Sequence, residues 1–286
     1  MSTTPTDHGS GTAWQQFWDR GGFWRAALAC VGYLALYLGA SLLIGVLLGD
    51  QVDPDDLFAS LPSVLVGLTL PLVVGAVVLS AFVRSLGWFR ELFARQPLPG
   101  RGWMWVAPVV VGAAVLLRFA GIDYRDYTLG VVVLTVLTGL LIGFVEEVLT
   151  RGVAVRMLRR AGHSERVVMV LSSLLFAVLH SANALSGQAI GLVLLTMVFT
   201  FGFGICMYLT MRVTRSLWAP VLLHGLYDPT LFLSAGGIDQ VSGGGDVNVA
   251  LTLAAPANIL CLVIAVVALL LVRGRVAGRT ADHAAA

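Results

Sequence analysis

The sequence predicts an all-α, polytopic membrane protein with about eight transmembrane helices around an intramembrane cavity. The chain has 286 residues, of which 58% are hydrophobic and only 12% charged. That is about half the charge a soluble domain carries, and the mean hydropathy is +0.88. The charge-free runs 26–49, 57–83, 127–145, 167–211, 216–227 and 247–272 include several longer than the roughly 20 residues that cross a hydrocarbon core. The basic residues are all arginine, and they crowd into alternate connections. A net charge of +2 is too small for a nucleic-acid surface. Membrane lipids are the first partner such a chain requires.

Taken in order, residues 1–13 are polar and lack the apolar stretch of a cleavable signal, so they read as a disordered cytoplasmic tail. Trp14, Phe17, Trp18, Phe23 and Trp24 follow, with Arg20 and Arg25 among them. That mixture suits the membrane interface. The tail and its aromatic segment take residues 1–22, one membrane domain takes 23–273, and a second cytoplasmic tail takes 274–286. Spans are expected near 24–49, 60–83, 102–120, 128–158, 166–184, 187–211, 216–234 and 250–272. The run 167–211 is too long for one crossing and divides at residues 181–188 (SANALSGQ), which read as a turn. Arg118 interrupts the third span near its end. Cys30, Cys206 and Cys261 lie in apolar runs without metal or disulfide spacing and read as packing residues. The seven Trp read mostly as interfacial anchors.

The arginines orient the spans. Arg20, Arg25, Arg84, Arg90, Arg95, Arg101, Arg156, Arg159, Arg160, Arg166, Arg212, Arg215, Arg273, Arg275 and Arg279 fall in one set of connections. The alternate set holds Arg118 and Arg125, and is otherwise acidic: Asp50, Asp53, Asp55, Asp56, Asp239 and Asp246. The positive-inside rule then places both termini and the arginine-rich connections in the cytoplasm. An even number of spans keeps this alternation.

Charged groups within spans cost roughly 2.5–3.5 kcal/mol each at the helix centre, yet this chain concentrates them. The fourth span carries Glu146, Glu147 and Arg151, the fifth Phe176 and His180, the seventh His224 and Asp228. Counted from the nearest arginine at about 1.5 Å per residue, Glu146 lies about 15 Å in, His180 about 21 Å, and His224 and Asp228 about 14 and 20 Å. Three helices thus bring polar groups to similar depth, and mutual contact is the economical way to bury them. At 100° per residue Glu147 and Arg151 share a face, whereas Glu146 points elsewhere. Glu147 is therefore expected mainly in an ion pair with Arg151, and Glu146 is the candidate reactive carboxylate. His224 and Asp228, also four apart, can share a water or a metal ion. Phe176 shares a face with His180 and can wall the pocket. Thr150, Asn183 and Tyr227 lie nearby and read as packing or capping residues.

These groups suit hydrolysis. A carboxylate removed from water holds a proton more tightly and can take one from a water molecule near neutral pH. A neighbouring histidine can share that proton or orient the water. His224 and Asp228 can stabilise an oxyanion, or hold a metal that does so. Two histidines and a carboxylate are also a zinc set, which makes Glu146, His180, His224 and Asp228 candidate ligands of a divalent ion such as zinc.

The three motifs, Glu146-Glu147-x-x-x-Arg151, Phe176-x-x-x-His180 and His224-x-x-x-Asp228, resemble those of the CPBP family of intramembrane proteases. That family includes the type II CAAX prenyl endopeptidases and bacteriocin-processing or immunity proteins. The resemblance covers about residues 127–234. It implies an eight-helix fold with a conical cavity reaching into the membrane, and proteolysis of a membrane-associated peptide. It further implies that Glu146 and His180 activate water and that His224 and residue 228 bind the carbonyl oxygen. The prenyl endopeptidases typically carry Asn at that last position, where this chain has Asp228. An ionised Asp only accepts hydrogen bonds, so Asp228 is protonated, positions His224 or ligates a metal.

Three functions fit the sequence: an endopeptidase, a non-catalytic immunity or scaffold protein of the same fold, and a proton-coupled transporter using the same groups as a relay. The intact motifs favour the first over the second. The third predicts broken helices or paired halves, and the sequence displays neither. HExxH, a GxSxG-like serine with a His partner, and presenilin-type aspartyl motifs are all absent from the sequence.

Overall fold

The structure is a computed structural model that describes residues 11–236 and 248–276. Most of the two expected tails, together with Asp239 and Asp246, lies outside the described residues. Among the described residues the chain is helical without a named strand.

Seven helices are long and apolar enough to cross a membrane. A short helix, α1 (Ala13–Asp19), precedes them. The spans are α2 (Phe23–Gln51), α3 (Leu61–Ser85), α4 (Gly102–Gly121), α5 (Leu129–Arg160), α6 (Glu165–Ser186) and α7 (Ile190–Thr214), then α9 (Val249–Leu271). Between the last two lies α8 (Trp218–Ala235), an 18-residue helix at the place of the expected seventh crossing. Its His224, Asp228 and two prolines, Pro220 and Pro229, lower its apolarity below that of the others. The protein is an integral multi-pass membrane protein, and the expected count of about eight is close.

Glycine determines how α8 enters the bundle. A Cβ on Gly139 of α5 would stand 2.6 Å from the Gly225 carbonyl oxygen, and one on Gly143 would stand 2.5 Å from the Gly225 nitrogen. A Cβ on Gly225 itself would meet the Leu140 Cα at 2.8 Å. Small residues four apart let two backbones touch, which is how helices associate where no hydrophobic force separates them from lipid. This contact fixes the register of the site. Glu147 lies one turn beyond Gly143, and His224 is the neighbour of Gly225.

Two spans contain wide turns. Residues Leu65–Thr69 of α3 and Val148–Ala154 of α5 are π-helical. The second begins directly after the paired glutamates, a place where such turns often mark function. The expected turn at 181–188 is mostly a 3₁₀ helix, His180–Ser186, that prolongs α6. The chain reverses at Gly187 instead, whose φ of 84° is accessible to glycine without strain. The expectation failed because Ser and Asn were taken as turn formers, whereas at a helix end they also support a tighter continuing coil.

The arginine-rich end is locked by ion pairs. Glu165, fully buried, accepts from Arg159 at 2.8 Å through both its oxygens, and from Arg212 at 2.9 Å. It also accepts from the Tyr208 hydroxyl. Arg156 bonds Asp19 at 2.9 Å and Glu91 at 2.8 Å while its guanidinium lies 3.7 Å above the Trp88 ring. Residues 13–19, expected as an interfacial aromatic segment, are thereby docked onto the bundle. Trp18 and Trp88 are core residues rather than anchors, at 6% and 2% exposure. Trp24 stays outward at 81%. The three cysteines are buried and free. At the opposite end, backbone N–H groups of Asp56 and Asp55 bond the Asp53 carboxylate and hold it below the usual carboxylate range.

The close approach of α5 and α8 yields a direct test. Gly143→Ala should destabilise the fold by about 1–3 kcal/mol through overpacking, read as a lower melting temperature in detergent. A parent-like melt would contradict the packing described.

Candidate active site

Glu146 and Glu147 end the regular α-helical part of α5, and the π turn carries Thr150 and Arg151 past them. Arg151 Nη1 donates to Glu147 Oε1 at 3.0 Å, and neither side chain has measurable exposure. The Thr150 hydroxyl donates to the Glu146 carbonyl at 2.6 Å and accepts from Arg151 Nη1. The Arg151 guanidinium lies 4.4 Å from the Phe176 ring centroid, an arrangement in which the ring face attracts a desolvated cation. Gly204 of α7 leaves room for it, since a Cβ there would stand 2.8 Å from Arg151 Nη2.

The same Glu147 oxygen has a second partner. His224 Nδ1 lies 2.8 Å from Glu147 Oε1, so Glu147 couples Arg151 to the histidine of α8. The expectation that Glu147 serves mainly Arg151 is incomplete for this reason. A 3.6-residue wheel relates positions on one helix but is silent about a donor arriving from another. His224 Nε2 points the other way, 3.4 Å from Asp228 Oδ2 and 3.8 Å from Glu146 Oε2. The two glutamates therefore face one imidazole from its two nitrogens. Phe176 and Phe203 stand edge-on to that ring at centroid distances of 5.6 and 4.9 Å, and His224 is 2% exposed.

His180 sits at the last α-helical turn of α6. Its Nδ1 is 3.0 Å from the Phe176 carbonyl oxygen. A carbonyl only accepts, so Nδ1 carries a proton, and Nε2 is the nitrogen that can serve as a base when the ring is neutral. Glu146 is within coulombic reach of His224, His180, Asp228 and Glu147 together. The structure thus assembles residues from three helices at one place, and their exposures are graded. Glu147 has none, the Asp228 side chain 18% and the Glu146 side chain 26%. Glu146 Oε2 is itself buried and has no hydrogen-bond partner among the described residues, so a carboxylate oxygen with a free lone pair is held inside the site.

Neighbours not singled out in the sequence complete the walls. Phe203 of α7 covers His224, and Tyr33 and Tyr37 of α2 lie within coulombic reach of Glu146. Tyr227 donates to Asn258 at 2.8 Å under the Arg118 guanidinium, which lies 4.6 Å from its ring. Arg118 is thus buried against an aromatic face rather than breaking its span. No sequence spacing marks these contacts, because each partner lies on a separate helix.

The four candidate metal ligands come near one another without forming a metal-holding group. Among the described residues no group of three or more His, Cys, Asp or Glu is placed to hold a metal ion. As placed, these residues do not form a zinc site.

A membrane-embedded cluster of two carboxylates and two imidazoles, backed by a buried ion pair, defines a candidate hydrolytic centre within a multi-pass protein. Residues 128–230 match the family model for the Rce1-like type II CAAX prenyl endopeptidases. The match takes in all three motifs and agrees with the resemblance drawn from them. That family is a protease family. No curated protein and no solved structure matched the chain.

Removing one member of the buried pair leaves the other uncompensated. Arg151→Ala should lower stability by about 3–5 kcal/mol, measured by thermal unfolding in detergent. An unchanged melting temperature would contradict the desolvated pairing of Glu147.

Proposed function

We propose that the protein is an intramembrane endopeptidase that hydrolyses a peptide bond of a membrane-associated or lipid-anchored substrate. The arginine-rich connections and both termini face the cytoplasm in this reading, and the site opens within the bilayer. The observation that carries it is the Glu146 carboxylate: its Oε2 is buried without a hydrogen-bond partner among the described residues, 3.8 Å from His224 Nε2 and within coulombic reach of His180.

The reaction needs one water molecule. Glu146 takes a proton from it, with His180 Nε2 accepting a hydrogen bond that orients the oxygen. The water oxygen bonds to the scissile carbonyl carbon, and the carbonyl oxygen becomes an oxyanion. His224 faces that position through Nε2. Its Nδ1–H is committed to Glu147, so it donates from Nε2 only as the doubly protonated ring. A carboxylate at Nδ1 stabilises that form, as Glu147 does here. Asp228, 3.4 Å from the same nitrogen, helps hold the ring in this orientation. As ionised Asp it cannot donate to an oxyanion. The intermediate collapses as Glu146 passes its proton to the leaving nitrogen. The C–N bond breaks, and the second water proton is lost as the new carboxylate ionises.

Within this scheme Glu147 and Arg151 are positioning residues that act through His224. Phe176 and Phe203 exclude water from the imidazole. That strengthens its charged hydrogen bonds and confines the reactive water to the Glu146 side.

The test is Glu146→Gln, which keeps shape and removes the base. Cleavage of a lipid-anchored fluorogenic peptide by the reconstituted protein should fall by at least about 100-fold, with an unchanged melting temperature. Parent-like cleavage by the variant would remove Glu146 from the mechanism.

A further inference from the structure

A cavity of about 520 Å³ opens at the arginine-rich end of α5. Its wall includes Arg95, Arg151, Arg156, Arg159 and Arg160 against a single carboxylate, Glu91. We propose that it is a binding site for a phosphate-type anion, presented by a lipid headgroup or taken free from solution. The inference goes beyond the proteolytic reading and does not depend on it.

Charge and size support it together. The carboxylates that reach these arginines are shared. Asp19 serves both Arg156 and Arg160, Glu165 serves both Arg159 and Arg212, and Glu147 serves Arg151 and His224. Arg95 is exposed and forms no ion pair among the described residues. The volume lies within the roughly 300–1,000 Å³ of small-ligand pockets. Guanidinium groups grip phosphate oxygens in pairs, and basic pockets at the ends of spans are where anionic headgroups settle.

Position gives the site a consequence. Arg151 and Gly152 line this cavity, and Arg151 also holds Glu147. An anion here sits against the turn of α5 that fixes the candidate active site.

The experiment reads thermal unfolding of the full chain in phosphatidylcholine nanodiscs. One arm adds phosphatidylglycerol, and the other adds inorganic phosphate without anionic lipid. At least one probe should raise the melting temperature. In Arg95→Ala/Arg160→Ala the concentration giving half the effect should rise about tenfold, the scale expected for losing one or two cations near a membrane surface. If the double variant does not fold, Arg95→Ala alone is read the same way. Arg84→Ala/Arg273→Ala removes the same charge outside the cavity and should respond like the parent. A response to phosphatidylglycerol alone assigns the headgroup, and one to inorganic phosphate assigns the free anion. No shift with either probe, or equal losses in both double variants, would overturn the site.

Discussion

One carboxylate oxygen, Glu147 Oε1, bears the organisation of the site. It lies in a part of the bundle closed to solvent and receives Arg151 from its own helix and His224 from α8. An ionised carboxylate survives such burial only with charged donors around it. The requirement runs in both directions. Arg151 is equally buried and would be an uncompensated cation without the carboxylate. The register of α5 against α8 is therefore constrained twice, by the glycine contact that lets the helices touch and by the polar contact one turn further on.

The reactive groups are built outward from this point. Exposure increases from Glu147 through His224 and Asp228 to Glu146, so in the proposed mechanism the closed end orders the imidazole and the more exposed end takes the water. Two adjacent glutamates thus have separate duties because their environments differ, although their chemistry is the same. The locked arginine-rich end serves the arrangement too. Glu165 and its partners tie α5, α6 and α7 together beyond the site, which holds the helices that carry Glu146, His180 and Gly204 at fixed spacing.

Much of this is legible in the sequence. Charge-free runs mark the spans, and arginine asymmetry marks the alternation of loops. The three motifs mark the helices that converge, and the spacing of Glu147 and Arg151 marks their pairing. What the sequence conceals is contact between helices. His224 on Glu147, Phe203 on His224 and the docking of Trp18 and Asp19 each join residues from separate elements. Gly139, Gly143 and Gly225 held the one available clue to the first, since small residues four apart announce close helix packing. The π turn after Glu147 left no mark in the spacing of the motif.

The central claim is that Glu147 acts through His224, and a double-mutant cycle tests it most directly. Cleavage of the lipid-anchored peptide would be measured as kcat/KM for the parent, Glu147→Gln, His224→Gln and the double variant. The account predicts strong non-additivity, with a coupling of about 1.5–3 kcal/mol expected of a hydrogen bond to a charged group. The double variant should then be little worse than either single one. Additive losses, or a parent protein that cuts no such peptide, would contradict it.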